Sequence, residues 1–220
     1  MSQFTFNLEN KPALGRNDFI VSESNLDAIR WIDNWPNWSH NSSGLNVVGP
    51  KSSGKTHLGS VWCSLSKAEW VNAPITDGMR VPDILKNGQH IVLDNFNHTW
   101  PGVPLLHLYN LVRERKGFML IISNIPVAQL GIALDDLASR LSTIPVVAIK
   151  PPDDFLLKEV MLKLFKDRQI AVENGVVDYL VVRMERSFEE ALRLVNLLDK
   201  KALAEKNIIT IPLASRVLRK

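Results

Sequence analysis

The stretch "GPKSSGKTH", residues 49–57, has the spacing of a loop whose backbone wraps around phosphate groups. Gly49, Gly54, Lys55 and Thr56 satisfy the pattern G-x-x-x-x-G-K-[ST]. The apolar run "LNVV" directly before the loop predicts a buried strand, and the residues directly after it predict a helix. A Gly/Ser turn could match this pattern by chance, but the flanking strand and helix favour a phosphate-binding loop.

Each part of this loop has a chemical role in the prediction. The glycines let backbone N–H groups point inward at phosphate oxygens, and the N-terminus of the following helix adds its positive dipole end. Lys55 is expected to reach the terminal phosphates, and the Thr56 hydroxyl is expected to bind Mg²⁺. The predicted nucleotide contacts cover the whole stretch: Gly49, Pro50, Lys51, Ser52, Ser53, Gly54, Lys55, Thr56 and His57.

Five short β-rich runs alternate with helical patterns around this loop, between residues 44 and 150. Several of these runs are apolar without alternation, as expected for parallel strands that helices cover on both faces. The sequence therefore predicts an α/β domain with a five-stranded parallel sheet. The predicted strands are "GLNVVG" (44–49), "EWVNAP" (69–74), "HIVLDN" (90–95), "FMLIISN" (118–124) and "IPVVAIK" (144–150).

Helical patterns flank the predicted sheet. One helix precedes the first strand, with Ser22 and Ser24 as capping candidates and Pro36 as its end. Pro151 and Pro152 break the chain after the last strand, and only helical patterns follow. There we expect Asp153 or Asp154 to cap a first helix, whose predicted apolar face is Leu157, Val160, Met161 and Leu164. The longest predicted helix has the apolar face Phe188, Ala191, Leu192, Val195 and Ala202. Two shorter helices are predicted at 173–183 and 212–219.

Composition excludes only the extreme classes of protein. The 220 residues carry 26 Lys and Arg against 23 Asp and Glu, a net charge of +3, which does not by itself predict a nucleic-acid partner. Cys63, the single cysteine, cannot form an internal disulfide, which favours a reducing compartment. The N-terminal residues do not resemble a signal peptide, and no apolar run approaches the roughly 20 residues that span a bilayer. We expect a soluble, cytoplasmic protein without a membrane partner.

Asp94 follows the apolar run "IVL" and is the candidate second acid of the nucleotide site, where it would hold a water molecule on Mg²⁺. The alternative is a strand-end Asp that caps a turn. Many P-loop ATPases that act as motors place a carboxylate directly after this acid to polarise the attacking water, but this chain has Asn95. An amide can orient water but cannot accept its proton, so the sequence predicts weak intrinsic hydrolysis.

Asn124 ends the run "FMLIISN", where its amide could respond to the presence or absence of a γ-phosphate. Without further context, an Asn at a strand end equally fits an ordinary turn. We keep Asn124 as a candidate sensor of the bound nucleotide.

The phosphate loop together with "IVLDN", "LIISNIP", "LASRL" and the helical C-terminal third resembles the AAA+ ATPases of the DnaA replication-initiator group, over nearly the whole chain. Within that group it is most similar to the Hda proteins, short DnaA homologues that bind the sliding clamp and inactivate DnaA. The chain stops at Lys220, where the initiator continues into a helix-turn-helix domain, so we expect no direct reader of double-stranded DNA. The resemblance implies an N-terminal arm (1–12), an AAA+ base (13–150) and a helical lid (151–220).

The N-terminal arm resembles the short arm of Hda proteins, which carries a clamp-binding peptide. Gln3, Phe4, Phe6 and Leu8 occupy the positions of that peptide, with Phe where the family usually has Leu. From the residues alone, the alternating apolar side chains fit an extended peptide that enters pockets on a partner, and they equally fit a frayed end or an edge strand.

Further roles follow from the resemblance by position. "NDFIVSESN" resembles the stretch that packs on adenine, "LASRL" contains Arg140 at the position of an arginine finger that reaches a neighbouring subunit's nucleotide, and "MERSFEEAL" places Arg186 at the second sensor. Arg140 could instead be a solvated helix residue, and Arg186 could form an i,i+4 ion pair with Glu190. The implied adenine-wall residues are Asp18, Phe19, Ile20, Val21 and Asn25.

Together these features predict a protein that binds ADP or ATP with Mg²⁺, docks on the DNA polymerase III beta sliding clamp, and presents Arg140 to ATP held by DnaA. The alternative is a DnaA-like or helicase-loader-like ATPase that forms a homo-oligomer and acts on single-stranded DNA. A P-loop kinase for a small molecule is a weaker reading, because no phosphoacceptor pocket is evident in the sequence.

Overall fold

A computed structural model of the chain describes residues 15–38, 43–76, 79–86, 88–205 and 208–218. Its five strands form one sheet in which all pairings are parallel, in the order β2-β3-β4-β1-β5. This confirms the predicted α/β class and all five predicted strands. The strands are β1 Gly44–Val48, β2 Glu69–Val71, β3 Ile91–Phe96, β4 Met119–Ser123 and β5 Val146–Ala148.

The two faces of the sheet pack against separate apolar clusters. Alternate residues of β4 point to opposite faces, so Leu120 and Ile122 join one cluster while Met119 and Ile121 join the other. Because both faces are covered, every residue of β1 and β4 is buried. This burial explains why these strands read as continuous apolar runs rather than as alternating ones.

Nine helices lie within the described residues. None of these helices combines the length and the apolar composition that crossing a bilayer requires. Two short 3-10 turns add to them at Arg16–Asp18 and Val127–Gln129. The helices are α1 Leu26–Asp33, α2 Lys55–Ser66, α3 Val81–Leu85, α4 Gly102–Glu114, α5 Asp135–Ser142, α6 Asp154–Asp167, α7 Val176–Val181, α8 Phe188–Glu205 and α9 Ile211–Leu218.

The start of α1 differs from the prediction, because Asn25 rather than a serine directly precedes the helix. The Asn25 side chain does not cap α1; its Oδ1 accepts a hydrogen bond from the backbone N–H of Ser22 at 3.0 Å, and its Nδ2 donates to the backbone carbonyl of Ile20 at 3.0 Å. Asn25 therefore fixes the shape of the segment ahead of α1, which forms one wall of the site described below.

Helices α6 to α9 enclose an apolar cluster of their own. Asp153 begins this part of the chain by accepting a hydrogen bond from the backbone N–H of Leu156 at 2.7 Å, as a helix cap does. The predicted face of α8 is wrong at Leu192, whose side chain is 41% exposed, because the buried stripe runs through Ala191, Leu194, Val195, Leu198 and Ala202. The division of the chain at residue 150 stays a prediction.

Candidate nucleotide site

The phosphate loop lies between β1 and α2, as the sequence predicts. Gly54 has φ +87°, a left-handed conformation that favours glycine. A Cβ at Gly49 would lie 2.8 Å from the backbone carbonyl oxygen of Ile149, so only glycine fits there without a shift. Both glycines are therefore required by the local backbone, which argues against a chance match of the motif.

Lys55 opens α2 and is buried, with 8% of its surface exposed. Its Nζ donates hydrogen bonds to the backbone carbonyls of Gly49, at 2.9 Å, and Pro50. Burial lowers the pKa of Lys55, and the nearby Asp94 carboxylate opposes that shift. A desolvated ammonium held mainly by carbonyl oxygens would gain from an anion at the loop.

Ser53 gives a second sign that the loop fits phosphate. Its Oγ is buried and has no hydrogen-bond partner within the described part of the chain. Buried hydroxyls are rarely left without a partner, so this oxygen is placed to bond to a group that the protein does not supply. Together with Lys55, Ser53 fits the phosphates of a nucleotide.

Thr56 and Asp94 meet at the end of β3. The Thr56 Oγ1 donates to Asp94 Oδ2 at 3.1 Å, and the backbone N–H of Asn95 donates to Asp94 Oδ1 at 2.8 Å. Hydroxyl and carboxylate oxygens suit Mg²⁺, which usually keeps waters and phosphate oxygens among its ligands. Within the described ranges no cluster of three or more His, Cys, Asp or Glu could hold a metal.

Asn95 directly follows Asp94 at an irregularity in the pairing of β3 with β4. Its φ is +57°, and its side chain is exposed while its neighbours Asp94 and Phe96 are buried. The irregularity turns Asn95 out of the sheet at its carboxyl edge, the edge at which the phosphate loop also lies. An amide therefore stands beside Asp94 where the comparison with motor ATPases expects a carboxylate.

A cavity of about 180 Å³ adjoins the phosphate loop and lies between the segment ahead of α1, helix α2 and the helices after β5. Four of the five predicted adenine-wall residues line it, namely Asp18, Phe19, Ile20 and Asn25. Val21 instead packs against the apolar cluster beneath α1. The position of the cavity beside the phosphate loop suits the base of a nucleotide whose phosphates lie in that loop.

His57 and Phe19 form one wall of this cavity. Their rings meet edge to face, with centroids 5.1 Å apart, and His57 Nε2 donates to the backbone carbonyl of Gly15 at 3.1 Å. Burial lowers the pKa of His57, which favours the neutral imidazole at neutral pH. A neutral ring beside Phe19 suits an uncharged purine.

Residues after β5 supply the opposite wall, and the sequence analysis assigned none of them to the site. Val160 and Leu164 belong to the apolar face predicted for α6, and this face was the sequence feature that could have indicated their place in the site. Lys163, an i+3 neighbour of Val160, had no signal because its partner lies 145 residues away. The residues on this wall are Leu156, Val160, Lys163, Leu164, Asp167 and Phe188.

One ion pair joins the two walls of the cavity, and a second joins the phosphate loop to α8. Lys163 Nζ donates to the backbone carbonyl of Asp18 at 3.0 Å and to its Oδ1 at 3.1 Å, and this hydrogen bond lowers the pKa of Asp18. Lys51 of the phosphate loop pairs with Glu189 of α8 at 3.2 Å. The second pair is highly exposed, so water and salt weaken it more than the first.

Arg186, the predicted second sensor, lies just ahead of α8 and is 69% exposed. Its Nη2 donates to Asp154 Oδ2 at 3.0 Å. The alternative i,i+4 pair with Glu190 is wrong, because Glu190 pairs with Arg193 at 2.6 Å. Arg186 is therefore tied to the first turn of α6, beside the cavity wall, and its contact with nucleotide stays a prediction.

Asn124, the predicted first sensor, directly follows β4, the strand that separates β3 and Asp94 from β1 and the phosphate loop. Its side chain is exposed at this edge. A fully buried amide, Asn46, supports it: Asn46 Nδ2 donates to Ser123 Oγ at 2.9 Å, and Asn46 Oδ1 accepts from the backbone N–H of Val127 at 3.1 Å. These bonds fix the turn that contains Asn124, and the sequence analysis missed Asn46.

Arg140, the predicted finger, lies on α5 and is not part of the cavity lining. Its Nε and Nη2 donate to Asp136 at 2.8 and 3.1 Å, and its Nη1 donates to Asn110 at 3.1 Å. The hydrogen bond with Asp136 raises the pKa of Arg140. The predicted clamp-binding residues, Gln3, Phe4, Phe6 and Leu8, lie outside the described residues.

Comparisons with known proteins agree with this architecture. Residues 158–218 match the family model described as "Hda, lid domain". An uncharacterised protein of Haemophilus influenzae is 23% identical over 192 residues, which cover 78% of this chain and 80% of that protein.

Solved structures share the fold at low sequence identity. Domain III of the Thermotoga maritima replication initiation protein DnaA has a TM-score of 0.79 at 15% identity, and the match covers 94% of this chain and 96% of that chain. AMPPCP-bound DnaA from Aquifex aeolicus has a TM-score of 0.67 at 18% identity, covering 86% and 65%. A point mutant of Thermotoga maritima RuvB has a TM-score of 0.73 at 16% identity, covering 96% and 72%. Residues 158–218 are thus similar to the lid domain of Hda, and the chain shares the fold of DnaA domain III.

Proposed function

We propose that the protein is a cytoplasmic regulator of replication initiation that activates ATP hydrolysis by DnaA. ADP or ATP with Mg²⁺ would bind between the base and the lid, and residues Gln3 to Leu8 would dock on the DNA polymerase III beta sliding clamp. Arg140 would then contact ATP held by DnaA. The DnaA-like fold and the Hda-type lid support this proposal, while clamp docking and the finger rest on the sequence resemblance.

Asn95, the residue next to Asp94, is the observation that favours an activator over a motor ATPase. Asn95 presents an exposed amide at the carboxyl edge of the sheet, beside an intact phosphate loop. Its amide can hold a water molecule in place but cannot take the proton that the attacking water must lose. The protein is therefore expected to hold its nucleotide for long periods and to hydrolyse it slowly.

The bound nucleotide would fix the lid relative to the base, because residues of both lining walls would contact it. Lys55 and Ser53 would bond to its phosphates, Thr56 and Asp94 would hold Mg²⁺, and Phe19 would pack on its base. The ion pair between Lys163 and Asp18 already joins the two walls at the end of the cavity where the adenine would lie. In this role the nucleotide is a structural link that sets which surface the protein presents to a partner.

The position of Arg140 supports action on another molecule's nucleotide. It lies on α5 rather than in the lining of the cavity, and its side chain is 36% exposed. Arginine fingers supplied by a partner stabilise charge on the transferring phosphoryl group and raise rates by roughly 10³ to 10⁵. Arg140→Ala should therefore abolish stimulation of DnaA's ATPase in an assay that contains the clamp. Arg113→Ala, which removes an exposed arginine from the neighbouring helix α4, is the matched control and should retain stimulation.

Clamp docking has its own test. Deletion of residues 1–8 should abolish retention of the protein on an immobilised clamp, because Gln3, Phe4, Phe6 and Leu8 would be removed together. Nucleotide binding by the deleted protein should be unchanged, which controls for folding. Retention of the deleted protein on the clamp would refute the role of the arm.

The second candidate function is a self-oligomerising ATPase that acts on single-stranded DNA. The pairing of Thr56 with Asp94 favours it, because a self-sufficient ATPase needs this arrangement as well. Steady turnover of ATP by the isolated protein, lost in Asp94→Ala and raised by single-stranded DNA, would support this alternative over the activator.

A further inference from the structure

Arg140 is held in one position by residues of two helices. Asp136, one turn earlier on α5, accepts hydrogen bonds from Nε at 2.8 Å and from Nη2 at 3.1 Å. Asn110 of α4 accepts from Nη1 at 3.1 Å. A guanidinium has five N–H donors, so two remain for which the described residues supply no hydrogen bond.

The direction of this contact matters because of how α5 lies on the sheet. Helix α5 follows β4, so its N-terminus lies at the carboxyl edge of the strands, the edge that carries the phosphate loop. Asp136 is in the first turn of α5, and Arg140 reaches back toward it, as helical side chains do. The pair therefore draws the guanidinium toward the functional edge rather than toward the far end of the helix.

We infer that Asp136 and Asn110 are positioning residues, which hold the guanidinium of Arg140 ready for the γ-phosphate of a partner ATPase. This inference rests on the proposed function of Arg140. An exposed arginine otherwise samples many rotamers, and ordering it on contact opposes binding and reaction. The bidentate contact fixes the planar fork beforehand and leaves two N–H groups for the phosphate oxygens.

The competing explanation is a surface ion pair that only stabilises α5. Pairs at i,i+4 do stabilise helices, and an acid in the first turn also favours the helix dipole. Asp135 separates the two explanations, because it is an exposed carboxylate of the same turn and, within the described part of the chain, Arg140 donates to Asp136 and Asn110 instead. Asp135→Asn removes the same charge from the helix N-terminus and leaves the finger held.

The test measures single-turnover hydrolysis of ATP on the partner ATPase, with the clamp present, over a range of concentrations of this protein. Asp136→Asn should lower the maximal stimulated rate about two- to tenfold, with the half-saturating concentration unchanged. Asn110→Ala should lower the maximal rate in the same direction and by less, since it removes one of three bonds. Asp135→Asn should match the wild type in both parameters.

A second background shows whether Asp136 acts through Arg140. In Arg140→Lys the side chain is a point charge without the planar fork, so Asp136→Asn should change the remaining rate less than it does beside arginine. Equal effects in the two backgrounds would show that Asp136 acts elsewhere and would overturn the inference. Equal thermal midpoints of Asp136→Asn and Asp135→Asn confirm that both variants are folded alike; if Asp136→Asn is less stable, Asn110→Ala decides.

The outcomes separate this inference from the function on which it rests. If Arg140→Ala stimulates like the wild type, the proposed function is wrong and so is the inference. If Arg140→Ala is inactive while Asp136→Asn equals Asp135→Asn, the function stands and the positioning role is refuted. A higher maximal rate for Asp136→Asn also refutes it, because the pair would then restrain the finger rather than aim it.

Discussion

Replacing Lys55 with methionine should separate nucleotide binding from stability. The Lys55 ammonium is buried and bonds to the carbonyls of Gly49 and Pro50, so a bound phosphate would replace poor partners with charged ones. Hydrogen bonds to charged groups contribute about 1.5–3 kcal/mol, which is a factor of about 10 to 160 in Kd. Lys55→Met should weaken ADP binding by about that factor.

The same change should not destabilise the protein in the absence of nucleotide. Burial places the folded-state pKa of Lys55 below its ordinary value. At any pH below that pKa, the charge on Lys55 therefore lowers the free energy of unfolding. This unfavourable contribution shrinks as the pH rises through the folded pKa. Methionine fills the space of the lysine stem without a charge, so the thermal midpoint without nucleotide should equal or exceed that of the wild type.

Two measurements check this prediction: titration of a fluorescent ADP analogue for Kd, and thermal unfolding with and without ADP. Lys150→Met, at an exposed site just after β5, is the matched control and should bind like the wild type. Tight ADP binding by Lys55→Met would refute the placement of the phosphates. A large drop in its midpoint without nucleotide would refute the account of Lys55 as a poorly partnered buried charge.

Three further changes test the other parts of the site. Thr56→Val keeps the shape of the side chain and removes the hydroxyl bonded to Asp94. The gain in nucleotide affinity that Mg²⁺ provides should therefore fall about tenfold, measured by titration of nucleotide with and without Mg²⁺. An unchanged effect of Mg²⁺ would contradict the assignment of Thr56 as a Mg²⁺ ligand. Asp18→Asn removes a carboxylate whose pKa Lys163 lowers, a contribution to stability that is present above the unfolded-state pKa and lost as the pH falls through the folded one. The thermal midpoint of the wild type should therefore fall more steeply than that of Asp18→Asn from about pH 5 to pH 3, whereas parallel curves would exclude a stabilising ion pair between Asp18 and Lys163 of α6. Asn95→Asp restores the carboxylate expected of a motor, so it should raise ATP turnover by the isolated protein, measured as phosphate release; no increase would mean that Asn95 does not limit hydrolysis.

The sequence was sufficient where the structure depends on local patterns. The apolar runs around Leu45, Val92 and Leu120 are buried on both faces of the sheet, which is why they predicted parallel strands correctly. The spacing of Gly49, Gly54 and Lys55 predicted the loop because the backbone itself requires glycine at both positions.

The sequence was insufficient where a partner lies far along the chain. Lys163 and Asp18 are 145 residues apart, and Lys51 and Glu189 are 138 apart, so no periodicity links them. The predicted serine cap of α1 was wrong for a different, local reason: Asn25 bonds back to Ser22 and Ile20, and this turn, rather than helix propensity, sets where α1 begins. The contact of Asn110 with Arg140 was also not predictable from the sequence, because only the packing of α4 on α5 brings these residues together.

We propose that Arg140 of this protein contacts ATP bound by DnaA, and the decisive assay for this role is single-turnover hydrolysis of labelled ATP on DnaA. The protein is loaded with ADP, so that its own site cannot turn over, and is added with the clamp to DnaA that carries labelled ATP. Rapid hydrolysis is expected with the wild type, and only the unstimulated rate of DnaA is expected with Arg140→Ala. Equal stimulation by the wild type and Arg140→Ala would show that Arg140 is not the finger.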